Sequence, residues 1–185
     1  MRKIDQNIEN PFDNIFIGIF EDMSDFYKKL NFTPNMLTTL SLFFGLASCY
    51  LLYKGNNTLA MIFWIIAYFY DCADGYFARK YKMTSKFGDV YDHISDATKM
   101  ILLLFVMYNV NKNKLKTTLP IIIAFSMLSF VHLGCQEKIY NNDDESVTIN
   151  KLKILCPNAK YIKFTKYFGT GTLMMVVAYL IYNYK

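Results

Sequence analysis

The chain is short of the features that mark most soluble enzymes. Only Arg2 and Arg79 are arginines, so bidentate recognition of an anion has very few donors to draw on. The four cysteines, Cys49, Cys72, Cys135 and Cys156, are scattered, and no pair has the spacing of zinc ligands. They read as small apolar residues in a reducing setting. No tandem repeat or low-complexity segment appears. Residues 1–14 are charged and polar and have no apolar signal-peptide core, so the first membrane segment is expected to act as the insertion signal. Nothing suggests a nucleic-acid partner.

Hydrophobic residues, in contrast, make up 54% and aromatics 17% of the 185 residues. They come in blocks, at 36–53, 62–70, 100–110, 119–133 and 173–182. With their flanks each block approaches the ~20 residues of a bilayer-spanning helix. The expected architecture is an all-α integral membrane protein, a bundle of five or six transmembrane helices. Five spans are evident, near 33–53, 58–79, 87–110, 118–136 and 161–182; a sixth would have to hide in the polar stretch 141–160. Ahead of them, apolar positions 16, 19, 20, 23, 26 and 27 recur at helical period among charges. They predict an amphipathic interfacial helix, with a helix docked on protein as the rival reading. Residues 1–32 thus form a tail and interfacial helix, and 33–185 a transmembrane domain. Thr33-Pro34 is a suitable N-cap and first helical residue for the first span.

Lysines and arginines set the orientation. With a cytosolic amino terminus, fourteen lie on the cytosolic side and five on the far side. That arrangement puts residues 71–96 at the cytosolic face.

These residues hold the chemistry. Asp71, Asp74, Gly75, Ala78 and Arg79 close the second span, and Gly88, Asp92 and Asp96 open the third. Ionisable groups at membrane depth are costly and mark function. Spacings of three and four put each carboxylate pair on one helical face. Two such helices facing each other gather oxygen ligands for hard divalent cations. Gly75 and Ala78 leave the backbone bare, and Arg79 suits a phosphate. Carboxylates, divalent ions and one arginine together describe a diphosphate site, in which a remaining carboxylate can take a proton from an attacking hydroxyl.

The pattern D-x-x-D-G-x-x-A-R-x8-G-x-x-x-D-x-x-x-D resembles the signature of the CDP-alcohol phosphatidyltransferase (class I) family, and all eight fixed positions are met. The resemblance implies transfer of a phosphatidyl or phospho-alcohol group from a CDP-alcohol, CDP-diacylglycerol first, to a second alcohol, with release of CMP. It implies a two-metal site of Mg2+ or Mn2+ on Asp71, Asp74, Asp92 and Asp96, with Asp96 also the catalytic base. Gly75, Ala78 and Gly88 would admit the cytidine, and Arg79 would contact phosphate. Asn35 and Thr38 match positions that approach the diphosphate. It also implies a homodimer with six membrane helices around a cavity open to the cytosol, and membrane lipids as partners.

On the acceptor side, Lys99, His132 and Gln136 are the candidates. Lys99 shares the Asp96 face; it would bind an acceptor anion or balance the carboxylates. The scarcity of arginine favours an unphosphorylated acceptor such as inositol, serine or diacylglycerol. A choline- or ethanolamine-type phosphotransferase acting on diacylglycerol is the alternative. A divalent-cation transporter is disfavoured, because the aspartates cluster on one side beside an arginine.

Overall fold

The computed structural model describes residues 2–139 and 150–184, and these contain helices and turns but no strand. Helix α1 spans Pro11–Lys29, α2 Pro34–Tyr53, α3 Asn57–Lys80, α4 Lys86–Val110 and α5 Lys112–Ile139. Short 3-10 turns at Asn150–Leu155 and Ala159–Tyr161 follow. Then come a one-turn α6, Ile162–Thr165, a 3-10 turn at Lys166–Phe168, and α7, Thr170–Tyr182. Of the stretch 141–160 expected to hide a sixth helix, residues 141–149 lie outside the described part, and the described remainder forms the two 3-10 turns.

The helix starts follow local sequence. The Thr33 hydroxyl accepts from the Met36 amide at 3.3 Å, with Pro34 as the first helical residue. Asn56 caps α3 through the Leu59 amide, and Ser85 caps α4 through the Gly88 amide at 3.0 Å. Each cap satisfies an amide that the helix itself leaves unpaired. Gly55, at φ +79°, turns the chain between α2 and α3 in a conformation glycine adopts without strain.

Among the described residues, three segments are long and apolar enough to cross a bilayer: Pro34–Tyr53, Lys112–Ile139 and Ala159–Tyr182. Helices α3 and α4 have the length, at 24 and 25 residues, but carry the charged motif. The last apolar segment is not one regular helix. It is broken at Gly169, whose extended backbone separates the 3-10 turn from α7.

Two apolar cores flank the motif. One gathers Leu52, Trp64, Leu103, Met107, Val177 and Ile181 from α2, α3, α4 and α7. At that end the Tyr184 hydroxyl donates to the carbonyls of Met107 and Asn111, at 2.8 Å each. The other core joins α1, α2 and α3 through Ile17, Phe20, Leu37, Ala73, Tyr76 and Phe77. Phe43, Tyr50, Phe105, Met127 and Tyr179 remain on the outside, an apolar surface that water would disfavour and lipid accepts. These faces suit an integral membrane protein.

Helix α1 docks on the protein. Phe16 and Phe20 meet Tyr68, Phe69, Tyr76 and Phe77 of α3 edge-on. Ile15, Ile19, Met23 and Phe26 stay exposed, so the helix has an apolar outer edge as well.

The cysteine expectation is corrected. Cys135 and Cys156 form a disulfide, while Cys49 and Cys72 are free. Twenty-one residues separate the bridged pair, a span that gives no metal-ligand or redox motif to read. The α5 end and the turn at Asn150–Leu155 bring them together: Leu152 O lies so close to Gly134 that a Cβ there would sit 2.2 Å away.

Candidate active site

Helices α3 and α4 each pack against α2, and their charged ends bring the acidic motif together. One oxygen each from Asp71, Asp92 and Asp96 lies within 4.8 Å of the others. Asp71 is the deepest, with a side chain 14% exposed, against 31% for Asp92 and 32% for Asp96. The site therefore opens on the α4 side. Asp92 Oδ1 is buried with no hydrogen-bond partner. An orphaned carboxylate oxygen inside a group of three is what a hard cation would satisfy. The donor set, carboxylate oxygens alone, suits Mg2+ or Mn2+.

Asp74 is nearly buried, and its Oδ2 accepts a hydrogen bond from the Thr38 hydroxyl at 2.5 Å. Thr38 Oγ1 also lies 3.2 Å from its own helix's Pro34 carbonyl. Thr38, expected near a diphosphate, is thus placed as the hydroxyl that orients Asp74.

The residues expected on the donor side make two separate close approaches. A Cβ on Gly88 would lie 3.2 Å from Asn35 Oδ1 and 3.1 Å from Ser85 Oγ, so the glycine lets α2 reach the start of α4. A Cβ on Gly75 would meet the Arg79 guanidinium at 3.2 Å, so Arg79 folds back over that bare backbone. Ala78 is half-buried beside it.

Lys99 sits inside the cluster. Its Nζ lies 3.1 Å from Asp71 Oδ1, 2.7 Å from Asp96 Oδ1 and 2.6 Å from Ser41 Oγ. Of the two readings of this residue, its placement follows the carboxylate-balancing one. Ser41 and Gly45 were not anticipated. The signal was present: Thr38, Ser41, Gly45 and Ser48 are small residues on one buried face of α2.

His132 and Gln136 lie elsewhere. Gln136 Nε2 bonds Glu9 Oε1 at 2.8 Å and His132 Nε2 at 3.1 Å, and His132 Nδ1 pairs with the Thr165 hydroxyl. This second polar network links α5, the 165–172 segment and the start of α1. Asn10, fully buried, donates to Lys166 O at 2.6 Å and Thr172 Oγ1 at 2.9 Å. Asp13 accepts from the Tyr68 hydroxyl. Burial, and then the charge of Glu9, push the Asp13 carboxyl up to about 8, and burial raises Glu9 as well. Gly169 and Gly171 permit this packing. A Cβ on the first would meet His132 at 2.7 Å, and on the second Asp13 Oδ1 at 2.2 Å. Glu9, Asn10 and Asp13 escaped the sequence reading because a polar amino-terminal segment looks solvated until a helix end closes on it.

Residues 31–183 match the family model for CDP-alcohol phosphatidyltransferase. The chain is 26% identical over 179 residues to a CDP-diacylglycerol–inositol 3-phosphatidyltransferase of Candida albicans, covering 83% of this chain and 75% of that protein. It is 30% identical over 78 residues to an uncharacterized protein of Aquifex aeolicus, covering 42% of this chain and 40% of that one. No solved structure matches.

Proposed function

Because this chain belongs to the CDP-alcohol phosphatidyltransferase family, we propose that it moves a phosphatidyl group from CDP-diacylglycerol to an unphosphorylated polyol, inositol first, and releases CMP. The convergence of Asp71, Asp92 and Asp96 within 4.8 Å carries this reading. The acceptor rests on the name of the fungal relative and on the scarcity of arginine for a phosphorylated one.

Asp71, Asp92 and Asp96, with Asp74 on the same face of α3 as Asp71, would hold a divalent ion, Mg2+ or Mn2+. Bound there, the ion supplies charge that neutralises the diphosphate and polarises its phosphorus–oxygen bonds. Arg79 grips a phosphate through its forked N–H donors. The Asn35 amide lies over Gly88 on the donor side, and the bare backbone at Gly75, Ala78 and Gly88 gives the cytidine room. Asp96, on the open side of the cluster, takes the proton of the acceptor hydroxyl. The acceptor oxygen bonds to the phosphorus that carries the lipid, the anhydride bond breaks, and CMP leaves with the bonding electrons. Lys99 holds Asp96 in place through its 2.7 Å contact.

The membrane frame completes the proposal. Five spans, with a sixth segment in the polar stretch after α5, surround a site facing the cytosol. Residues 1–32 are a tail and an interfacial helix whose outer edge, Ile15, Ile19 and Phe26, meets lipid. Residues 33–185 are the catalytic domain, expected to pair as a homodimer.

A donor-by-acceptor matrix tests the reading. CDP-diacylglycerol, CDP-choline and CDP-ethanolamine are offered against inositol, serine, glycerol 3-phosphate and diacylglycerol. CMP is expected with CDP-diacylglycerol and inositol. CMP only with CDP-choline and diacylglycerol reverses donor and acceptor. No CMP from any pair, with protein shown to be folded, refutes the enzyme.

A further inference from the structure

The Lys99 side chain is built into the acidic cluster from end to end. Its stem lies in a notch that only glycine leaves open: a Cβ on Gly45 would stand 2.6 Å from Lys99 Cδ and 2.7 Å from Cγ. Its ammonium has three N–H bonds. Ser41 Oγ at 2.6 Å and Asp71 Oδ1 at 3.1 Å accept hydrogen bonds from it, and Asp96 Oδ1 stands 2.7 Å away as an ion-pair partner. The residue is 5% exposed, so water does not share the task. A solvated counter-ion would need neither the notch nor the hydroxyl.

Two-metal sites set their ions about 3.5–4 Å apart, and Mg2+ sits about 2.1 Å from each oxygen ligand. A divalent ion bridging Asp71 Oδ1 and Asp96 Oδ1 would have to overlap the ammonium that already touches both. Asp92 Oδ1 and Asp96 Oδ1 are both buried without a hydrogen-bond partner; Asp96 Oδ1 has the ammonium as its ion-pair partner, which leaves Asp92 Oδ1 open to an ion on the other side of the cluster.

We infer that Lys99 is a resident cation of the site, holding between Asp71 and Asp96 the place of a second divalent ion, so that the chain works with one divalent ion and one lysine. This rests on the metal-dependent reading proposed above. It fixes one positive charge beside the diphosphate whatever the metal concentration, and it anchors Asp96 where the acceptor hydroxyl arrives. Ser41 and Gly45 are then positioning residues for Lys99.

Counting bound Mn2+ per chain tests it, without recourse to activity. Full-length protein in detergent micelles is titrated with Mn2+, and free ion is followed by electron paramagnetic resonance. Lys99→Met, which keeps the stem, and Lys99→Gln, which keeps polarity, are compared with the unmodified chain, each checked by circular dichroism and size-exclusion chromatography. One tight Mn2+ is expected in the unmodified chain and two in whichever variant folds. Two ions in the unmodified chain overturn the inference, and that result needs no variant. An unchanged single ion in a folded variant overturns it as well. No bound Mn2+ in any of the three removes the metal reading along with it, which separates the two failures.

Discussion

Replacing Thr38 with valine removes one oxygen and leaves shape and volume nearly unchanged. In the folded chain that hydroxyl donates to Asp74 Oδ2 at 2.5 Å, between residues that are 3% and 5% exposed. Valine would leave the Asp74 carboxylate buried without this donor. Losing a partner to a buried charged group costs about 1–3 kcal/mol or more. Part of that appears as stability, and part as freedom of Asp74 to leave the cluster. Partners that orient ligating carboxylates are worth about 10- to 100-fold in metal affinity or activity. That corresponds to about 1.4–2.8 kcal/mol. The assay is CMP formation at fixed CDP-diacylglycerol and inositol while Mn2+ is varied. The half-saturating Mn2+ concentration is expected to rise about 10- to 100-fold, with most of the rate recovered at high Mn2+. An unchanged Mn2+ requirement with a raised KM for the CDP-alcohol would refute the reasoning. It would place Thr38 on the donor rather than behind Asp74.

Four further outcomes follow from the structure. Asp13 titrates near 8 in the folded chain and near 3.8 unfolded, so the folded state binds the extra proton between those values. Stability from this group is fullest below the unfolded value and is lost as pH rises through about 8. Asp13→Asn should flatten the fall in melting temperature between about pH 4 and 8; an unaltered profile contradicts the burial argument. Gly171→Ala puts a carbon 2.2 Å from Asp13 Oδ1 and 2.4 Å from Asn10 Oδ1. It should destabilise by about 1–3 kcal/mol or more in thermal unfolding, while Gly18→Ala, whose nearest neighbour is the far end of Arg2 at 3.8 Å, should be milder. Denatured, unreduced protein should label two thiols with maleimide, Cys49 and Cys72, and four after reduction. Reduction should also lower stability by about 2–4 kcal/mol, measured by thermal unfolding with and without reductant.

Much of the site was legible because its chemistry is local. Asp71 and Asp74 share one helix, Asp92 and Asp96 another, and helical spacing alone puts each pair on a face. The N-caps Thr33, Asn56 and Ser85 are equally local, and Thr33 was readable from the proline beside it. What escaped depends on contacts across the chain. Ser41 and Gly45 looked like ordinary small residues of an apolar span until Lys99, more than fifty residues later, filled their groove. The disulfide escaped for the same reason, since a turn beyond α5 has to return before Cys156 meets Cys135. The break at Gly169 was hidden by hydropathy, which registers apolar residues but not extended backbone. The roles of Glu9 and Asp13 have no signal in the sequence, because burial of a polar segment has no periodic signature.

The most direct test of the central claim is CMP release from CDP-diacylglycerol by the full-length protein, with Mg2+ or Mn2+ and inositol, for the unmodified chain and for Asp96→Asn. The account predicts metal-dependent CMP and a phosphatidyl-alcohol product from the first. Asp96→Asn should be near background and still bind Mn2+ weakly. Equal CMP formation by the two proteins, or turnover undiminished by chelator, would contradict it.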